Sequence, residues 1–460
     1  MNKINKNLPV DWVVNVDWIV NVVNVDWIVS VDWICNPIKR SMRIYNPKKI
    51  NAKPDCKSLY SIHSDYKSEW TIDYKSEWTI WTITLTLLLG LLITLSGCRK
   101  DDPIIPEEEE RLPSQTVTTI AGFYLLNEGN MNMNKASLDY YDYATGAYRR
   151  NIYGQANPEA TLGLGDVGND LGIYGSKLYA VINSSSKVEV MDVKTTKRLK
   201  VIDIKNCRNI TFANGKAFVS AYDGEVQLDE ISPNGFVAEI DTATLAITRT
   251  VRVGRQPEGL AVVGEKLYVA NSGGYSPPHY ERNVTVIDLN TFEKIGDIDV
   301  APNLHRLKAD GYGNLWVSSH GNYFDTPPQL LVVNTQTETV VQQFDVTCSS
   351  LVLSGDTAYI ISAEFSYASS NETTNYFMIN VKNQTLLEGS FLPKTVRDAI
   401  KTPYGMAVDP DSKYIYIADA DDYVSPGKLY CVDRDGNTVF TVTTGDIPAH
   451  FAFVYKSNLK

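Results

Sequence analysis

Glu258, Arg208, His305 and Tyr404 occupy the same place in a recurring pattern, just ahead of the apolar centre of a short β-branched run. With those runs aligned on Leu260, the residues in register are Asn169, Arg208, Glu258, His305, Ser349, Tyr404 and Ala449. One place further on come Asp170, Asn209, Gly259, Arg306, Ser350, Gly405 and His450. A repeat under purely structural selection tends to reuse one residue at such a place. This chain instead sets acid, base, amide, hydroxyl and imidazole there. Imidazole is a ready metal ligand and an acid or base near neutral pH. Beside a carboxylate, as in the set His305, His320 and Glu258, it could hold a divalent ion and supply a general base. Without a metal, Arg208, His305 and Arg306 are polar anchors for a bound ligand.

A second set of candidates is largely aromatic. Long polar stretches carry Tyr275, His279, Tyr280, His320, Tyr323, Phe324, Phe365, Tyr367 and Tyr423. Rings with a polar tip give a large contact area at little entropic cost, which suits ligand recognition. Tyrosine is common throughout, with 27 in the chain, so a share of these rings only packs loop against loop.

The elements that position both sets come from a repeat. An aromatic marks the second strand of each unit, at Tyr124, Tyr179, Phe218, Tyr268, Trp316, Tyr359 and Tyr416, with spacings between 39 and 57 residues. A third run follows each marker and closes on Asp142, Asp192, Asp241, Asp288, Asn334, Asn380 or Asp433. Short β-branched runs bounded by Gly, Asn and Asp are antiparallel strands, and four of them at this period make a propeller blade. The expected fold is all-β, a seven-bladed β-propeller. The first unit lacks an inner strand, and Pro448–Val454 matches Pro257–Val263 in pattern, so the C-terminal strand is expected to close the ring.

A propeller sorts its loops by face. The loops that enter the inner strands and those that join second to third strands open on one end of the ring, and they carry every candidate above. His279, His305, His320 and His450 all fall on that end. The third-to-fourth turns, such as Asp192–Thr195, open on the other end and read as turn chemistry alone. Long loops facing short turns point to a binding surface on the first end.

A formal net charge of −11 argues against nucleic acid as a partner, because phosphate binding needs a basic footprint. The N-terminus is of another kind. Residues 1–78 are repetitive, with variants of Val-Asp-Trp-Ile-Val and a doubled DYKSEWTI, and no fold is expected there. Residues 79–97 form an uncharged apolar run ending Leu95-Ser96-Gly97 before Cys98, and 98–121 form an acidic tether to a domain spanning 122–460. Cys207, Cys348 and Cys431 are an odd set and give no disulfide framework.

Leu95–Cys98 resembles a bacterial lipoprotein box, which implies cleavage before Cys98, acylation of its thiol and attachment to the membrane by lipid alone. Arg99–Asp102 and Glu107–Glu110 resemble the acidic export signal of Bacteroidetes lipoproteins, implying display on the outer face of the outer membrane. KLYVANSGG…VTVIDLNT and YIYIADADD…LYCVDRDG resemble the YVTN-type, YncE-like propellers. FYLLNEGNMNMNKASLDYYD is similar to propeller lipoproteins of Bacteroidetes, a group that includes a cobalamin-capturing surface protein partnered with an outer-membrane transporter. The resemblance implies a surface module that captures a nutrient, with a corrinoid as its most specific ligand. A glycan or peptide suits the same loops. The competing expectations are a metal-assisted lyase or hydrolase at the channel mouth and a protein–protein interaction scaffold.

Overall fold

Each of the seven marker aromatics lies in the second strand of an antiparallel sheet, and most face a small residue on the strand inside it. Tyr179 pairs with Gly172, Tyr268 with Ala261, Tyr416 with Ala407 and Tyr124 with Ala452. The small partner leaves room for the ring. Tyr179, Trp316 and Tyr416 are fully buried. The computed structural model describes residues 109–460 apart from 225–227, 229–231 and 367–370, and apart from the side chains of 364–372. The repetitive segment, the apolar run, Cys98 and the start of the acidic tether lie outside the described residues.

Among the described residues the sheets are seven: six of four strands and one of five. Blade two spans 168–203, blade three 207–255, blade four 257–299, blade five 304–344, blade six 350–387 and blade seven 403–446. Blade one takes its inner strand from the C-terminus. Pro448–Tyr455 pairs antiparallel with Ile120–Asn127, and the ladder continues to Ser137–Asp142 and Ala147–Arg149. The closed ring expected from the tail is therefore present. A further strand, Glu109–Arg111, pairs with Ala147–Arg149 and covers the outer edge of blade one. Part of the stretch read as tether is thus a fifth strand.

Packing runs between blades. Seven apolar clusters are each drawn from two adjacent blades, one for every junction including seven to one. No blade buries both faces alone, which is why the units must stack in a ring. The residue that ends each third strand caps the turn after it. Asp192 Oδ1 accepts from the N–H groups of Lys194 and Thr195 and from the Thr195 hydroxyl, and Asp142, Asp241, Asp288, Asn334, Asn380 and Asp433 do equivalent work. Asx turns of this kind explain the repeated Asp or Asn without any ligand. The polar stretch that carries Phe365 is not the open loop expected. Thr357–Ser366 and Asn371–Asn380 pair along their whole length, so blade six carries a tall hairpin on the face of interest. Cys207, Cys348 and Cys431 are buried free thiols, and burial pushes Cys207 and Cys348 up to about 12.

Candidate binding site at the channel mouth

One backbone hydrogen bond, repeated in six blades, sets the site. The residue following the second strand donates its N–H to the residue preceding the inner strand: Glu128 to Ile447 (2.8 Å), Asn183 to Val167 (2.8 Å), Tyr222 to Asn206 (3.2 Å), Ser272 to Gln256 (3.1 Å), His320 to Asn303 (2.9 Å) and Ala420 to Thr402 (2.9 Å). Five of the acceptors take left-handed φ values, from 48° at Asn206 and Gln256 to 59° at Asn303. This turn ties the long loops to the start of the inner strands. In these six blades two sets of side chains then meet around the axis, one from the second residue of the inner strand and one from the residue after the second strand.

On the side of blades two to four the contacts are charged and closed. The Arg208 guanidinium bonds both Glu258 carboxylate oxygens, at 3.1 and 3.2 Å, and donates to Asn169 Oδ1 at 2.8 Å. Asn169 returns a bond from Nδ2 to the Arg208 carbonyl at 2.7 Å. Tyr222 donates its hydroxyl to Glu258, and its ring lies 5.2 Å from Arg208 Cζ. Tyr275 packs edge-on against Tyr222 at 6.2 Å. Burial works against the Arg208 charge, but Glu258 and the tyrosines outweigh it and hold the guanidinium protonated. Burial first, and Glu258 after it, push the Tyr222 phenol well up, so it stays a donor.

Blades seven and one form a second group. Glu128 accepts from the Tyr404 hydroxyl at 2.8 Å through one oxygen and meets His450 Nε2 at 2.9 Å through the other. Tyr423 stands edge-on to Tyr404 at 6.0 Å. Burial and then Glu128 raise the Tyr404 phenol far above its ordinary range.

Between these groups, blade five leaves polar atoms open. His305 and His320 lie with ring centroids 4.8 Å apart, and His305 Nδ1 is buried with no hydrogen-bond partner among the described residues. Burial lowers both imidazoles, and the charge of Arg306 lowers them further, so both are neutral at pH 7. Arg306 Nε reaches the Ser349 carbonyl at 3.4 Å, and among the described residues Arg306 makes no ion pair with a carboxylate. A guanidinium without a carboxylate beside two uncharged imidazoles is equipped to receive an acceptor-rich or anionic group.

The structure thus gathers Arg208, Glu258 and Tyr275, then Tyr404, Tyr423 and His450, then His305, Arg306 and His320 around one opening. It does not gather every candidate. His279 is exposed and is held by its backbone, its N–H donating to the Ser276 carbonyl at 2.7 Å and its carbonyl accepting from Arg255 Nη2 at 2.6 Å. Tyr280 and Tyr323 pair edge-on at 6.2 Å out on the loops, and Phe324 is 92 % exposed beside them. Phe365 lies in the blade-six hairpin with its side chain outside the described set, and Tyr367 lies outside the described residues. The divalent site expected from His305, His320 and Glu258 is also not assembled. Glu258 is taken by Arg208 and Tyr222, and among the described residues no group of three or more His, Cys, Asp or Glu side chains could hold an ion.

Glu128 and Tyr222 are site residues that the inner-strand alignment could not find. Aligning the residues just past the second strands, which puts Glu128, Tyr222 and His320 in one register, would have shown them. Two members of the inner ring, by contrast, are there for packing. A Cβ on Gly259 would sit 2.6 Å from the Leu307 nitrogen, and one on Gly405 would sit 2.2 Å from the Ala449 carbonyl oxygen. Adjacent inner strands approach too closely at those two places for any side chain.

Residues 121–445 match the family described as "Domain of unknown function (DUF5074)". No curated protein sequence matches the chain. Among solved structures, the chain is similar to a quinonprotein alcohol dehydrogenase-like protein from Bacteroides thetaiotaomicron, with 14 % identity over 72 % of this chain and 78 % of that one, at a TM-score of 0.53. It also resembles the hydrazine synthase of Kuenenia stuttgartiensis, with 17 % identity over 58 % and 77 % of the two chains, at a TM-score of 0.47. Apo AztD from Citrobacter koseri matches with 12 % identity over 74 % and 99 %, at a TM-score of 0.45. At these identities the first likeness speaks for the propeller fold and for nothing more specific.

Proposed function

The chain belongs to the DUF5074 family of unknown function, and from that footing we propose that it is a binding module that captures a ligand at the mouth of its propeller channel. The observation that carries this reading is the incomplete bonding of blade five within an otherwise closed polar ring. Among the described residues His305 Nδ1 is buried without a partner and Arg306 lacks a carboxylate, while Arg208–Glu258 on one side and Glu128–His450–Tyr404 on the other are already satisfied. Unmet donors beside prearranged ones are what a ligand completes. The exposed rings of Tyr323, Phe324 and Tyr423 add apolar contact area on the same face.

The most specific ligand in this reading is a corrinoid, whose rim of amide side chains offers acceptors to Arg306 and donors to neutral imidazole. In this reading the protein is held by lipid at Cys98 on the outer surface of the outer membrane and hands its ligand to a transporter there. The test is gel filtration of the detergent-solubilised full chain with cyanocobalamin. Pigment co-eluting with wild type and lost from Arg306→Ala supports both ligand and site. A colourless protein peak removes the corrinoid. A screen of glycans and peptides in which Arg306→Ala binds like wild type then removes the channel-mouth site.

A further inference from the structure

Three carboxylates reach the channel mouth from the starts of the inner strands and the residues after the second strands, and among the described residues all their oxygens are engaged. Glu258 gives one oxygen to Arg208 and the other to Arg208 and Tyr222. Glu128 is shared between Tyr404 and His450. Asp170, the third residue of its inner strand, accepts the Leu171 N–H at 2.8 Å and the Ile210 N–H at 2.9 Å. Arg306 holds the same place on blade five and is answered by none of them. Its backbone N–H is fixed on the Ser318 hydroxyl at 2.9 Å, and its guanidinium meets the Ser349 carbonyl through Nε alone. The two Nη groups make no bond among the described residues. They form a fork of donors, a shape that carboxylate and phosphate fit.

The imidazoles beside this fork add donors without an opposing charge. No partner on Nδ1 fixes the His305 tautomer among the described residues, so Nε2 is free to carry the proton and donate. His320 lies against that ring at 4.8 Å. After burial, the groups that lower His305 furthest are Arg306, His320, Arg208 and His450, so the field at that ring is positive. Burial and then Arg306 lower His320 too, and Glu258 opposes them as the smaller effect. A cationic fork in a positive field favours an anionic oxygen over a neutral one.

We infer that the channel mouth grips its ligand by an oxyanion, a carboxylate or a phosphate, held end-on by the two Nη groups of Arg306 with the His305 and His320 imidazoles beside it. This rests on the proposed capture at the mouth and narrows its ligand to one that carries such a group. The probes are benzoate, phenyl phosphate and neutral benzamide, titrated calorimetrically into the detergent-solubilised full chain against a micelle blank. Their ring suits the edge-on tyrosine pairs on either side, Tyr222–Tyr275 and Tyr404–Tyr423. Saturable binding of at least one acid is expected, with benzamide at least about tenfold weaker, and the tighter acid identifies the group. Arg306→Ala should weaken that acid at least about tenfold, and Lys194→Ala, on an exposed turn at the opposite end, should leave it unchanged. Should the alanine variant melt low, Arg306→Gln, neutral and nearer in size, is read in its place. The inference is overturned if neither acid saturates, if benzamide binds as well as the acids, or if a normally melting Arg306 variant binds as tightly as wild type. Acid binding with no cyanocobalamin retained keeps the inference and removes the corrinoid. Pigment retained through Arg306 with neither acid bound removes the inference and keeps the capture site.

Discussion

Glu128 and His450 are 322 residues apart in the chain and 2.9 Å apart in the fold. The strand Pro448–Tyr455 that closes the ring is also the strand that delivers His450 to the site, so closure and site share one element. Removing it should affect both. Deleting residues 449–460 leaves Ile120–Asn127 as an unpaired edge beside an opened apolar cluster, and the expected product is insoluble. A soluble deletion with an unchanged melting temperature would contradict the closure. His450→Ala keeps the ladder and loses one side-chain contact, and it should lower stability by only about 1 kcal/mol.

The Arg208–Glu258 pair should behave as a coupled unit. The Glu258 side chain is nearly buried, so Arg208→Ala strands a carboxylate and should lower stability by about 3–5 kcal/mol in urea titrations. Replacing both partners, as in Arg208→Met with Glu258→Leu, removes the stranded charge. The double variant should be more stable than Arg208→Ala. If the losses simply add, the two residues are not coupled.

Asp139 gives a pH signature. It is fully buried between blades one and seven and accepts from Tyr148, from the Asn151 N–H and from the Gly445 N–H, yet burial dominates and pushes its carboxyl up to about 6. A carboxyl with a raised folded pKa binds its proton more tightly in the native state, so its contribution is full below about pH 4 and is lost as pH rises to about 6. His305 and His320, lowered by burial, act in the opposite sense below about pH 6.5. The readout is therefore the difference in melting temperature between wild type and Asp139→Asn. Wild type should lose ground to the variant between pH 4 and 6, and a constant difference across that window would refute the assignment.

How much of this was legible depends on what each residue answers to. The blades could be read because Tyr268, Trp316 and Tyr416 and the turn-capping Asp288 or Asp433 answer to local rules, ring packing and Asx turns, repeated unit by unit. The inner ring of Arg208, Glu258, His305 and Tyr404 could be read for the same reason, by register within the repeat. Partners could not. Nothing local tells that Glu258 is spent on Arg208 and Tyr222, or that Glu128 joins His450 across the closure, because those distances exist only once the ring is shut. Gly259 and Gly405 were misleading for a related reason: their neighbours, Leu307 and Ala449, belong to the next blade.

The proposed lipid anchor has its own check. Wild type should partition with membranes and move into the detergent phase on extraction, and Cys98→Ser should not. A Cys98→Ser protein that still follows the detergent phase would sink the anchor without touching the propeller.

The last prediction concerns backbone strain at the loop-to-channel turn. Val167 accepts the turn bond from Asn183 with φ at 55°, a left-handed conformation that crowds a β-branched side chain. Asn206 and Asn303 fill the equivalent place in blades three and five at 48° and 59°, and asparagine tolerates that region. Ile447 at 55° carries the same strain, but its side chain is buried, so replacing it would also cost apolar contact. Val167 is only half-buried, and there the strain term should win. Val167→Asn is expected to raise stability by about 1 kcal/mol, seen as a higher urea midpoint at unchanged slope. Val167→Thr keeps the branch at Cβ and should show no gain. If Asn and Thr prove equally stable, the left-handed turn at Val167 is not strained and the gain has no source.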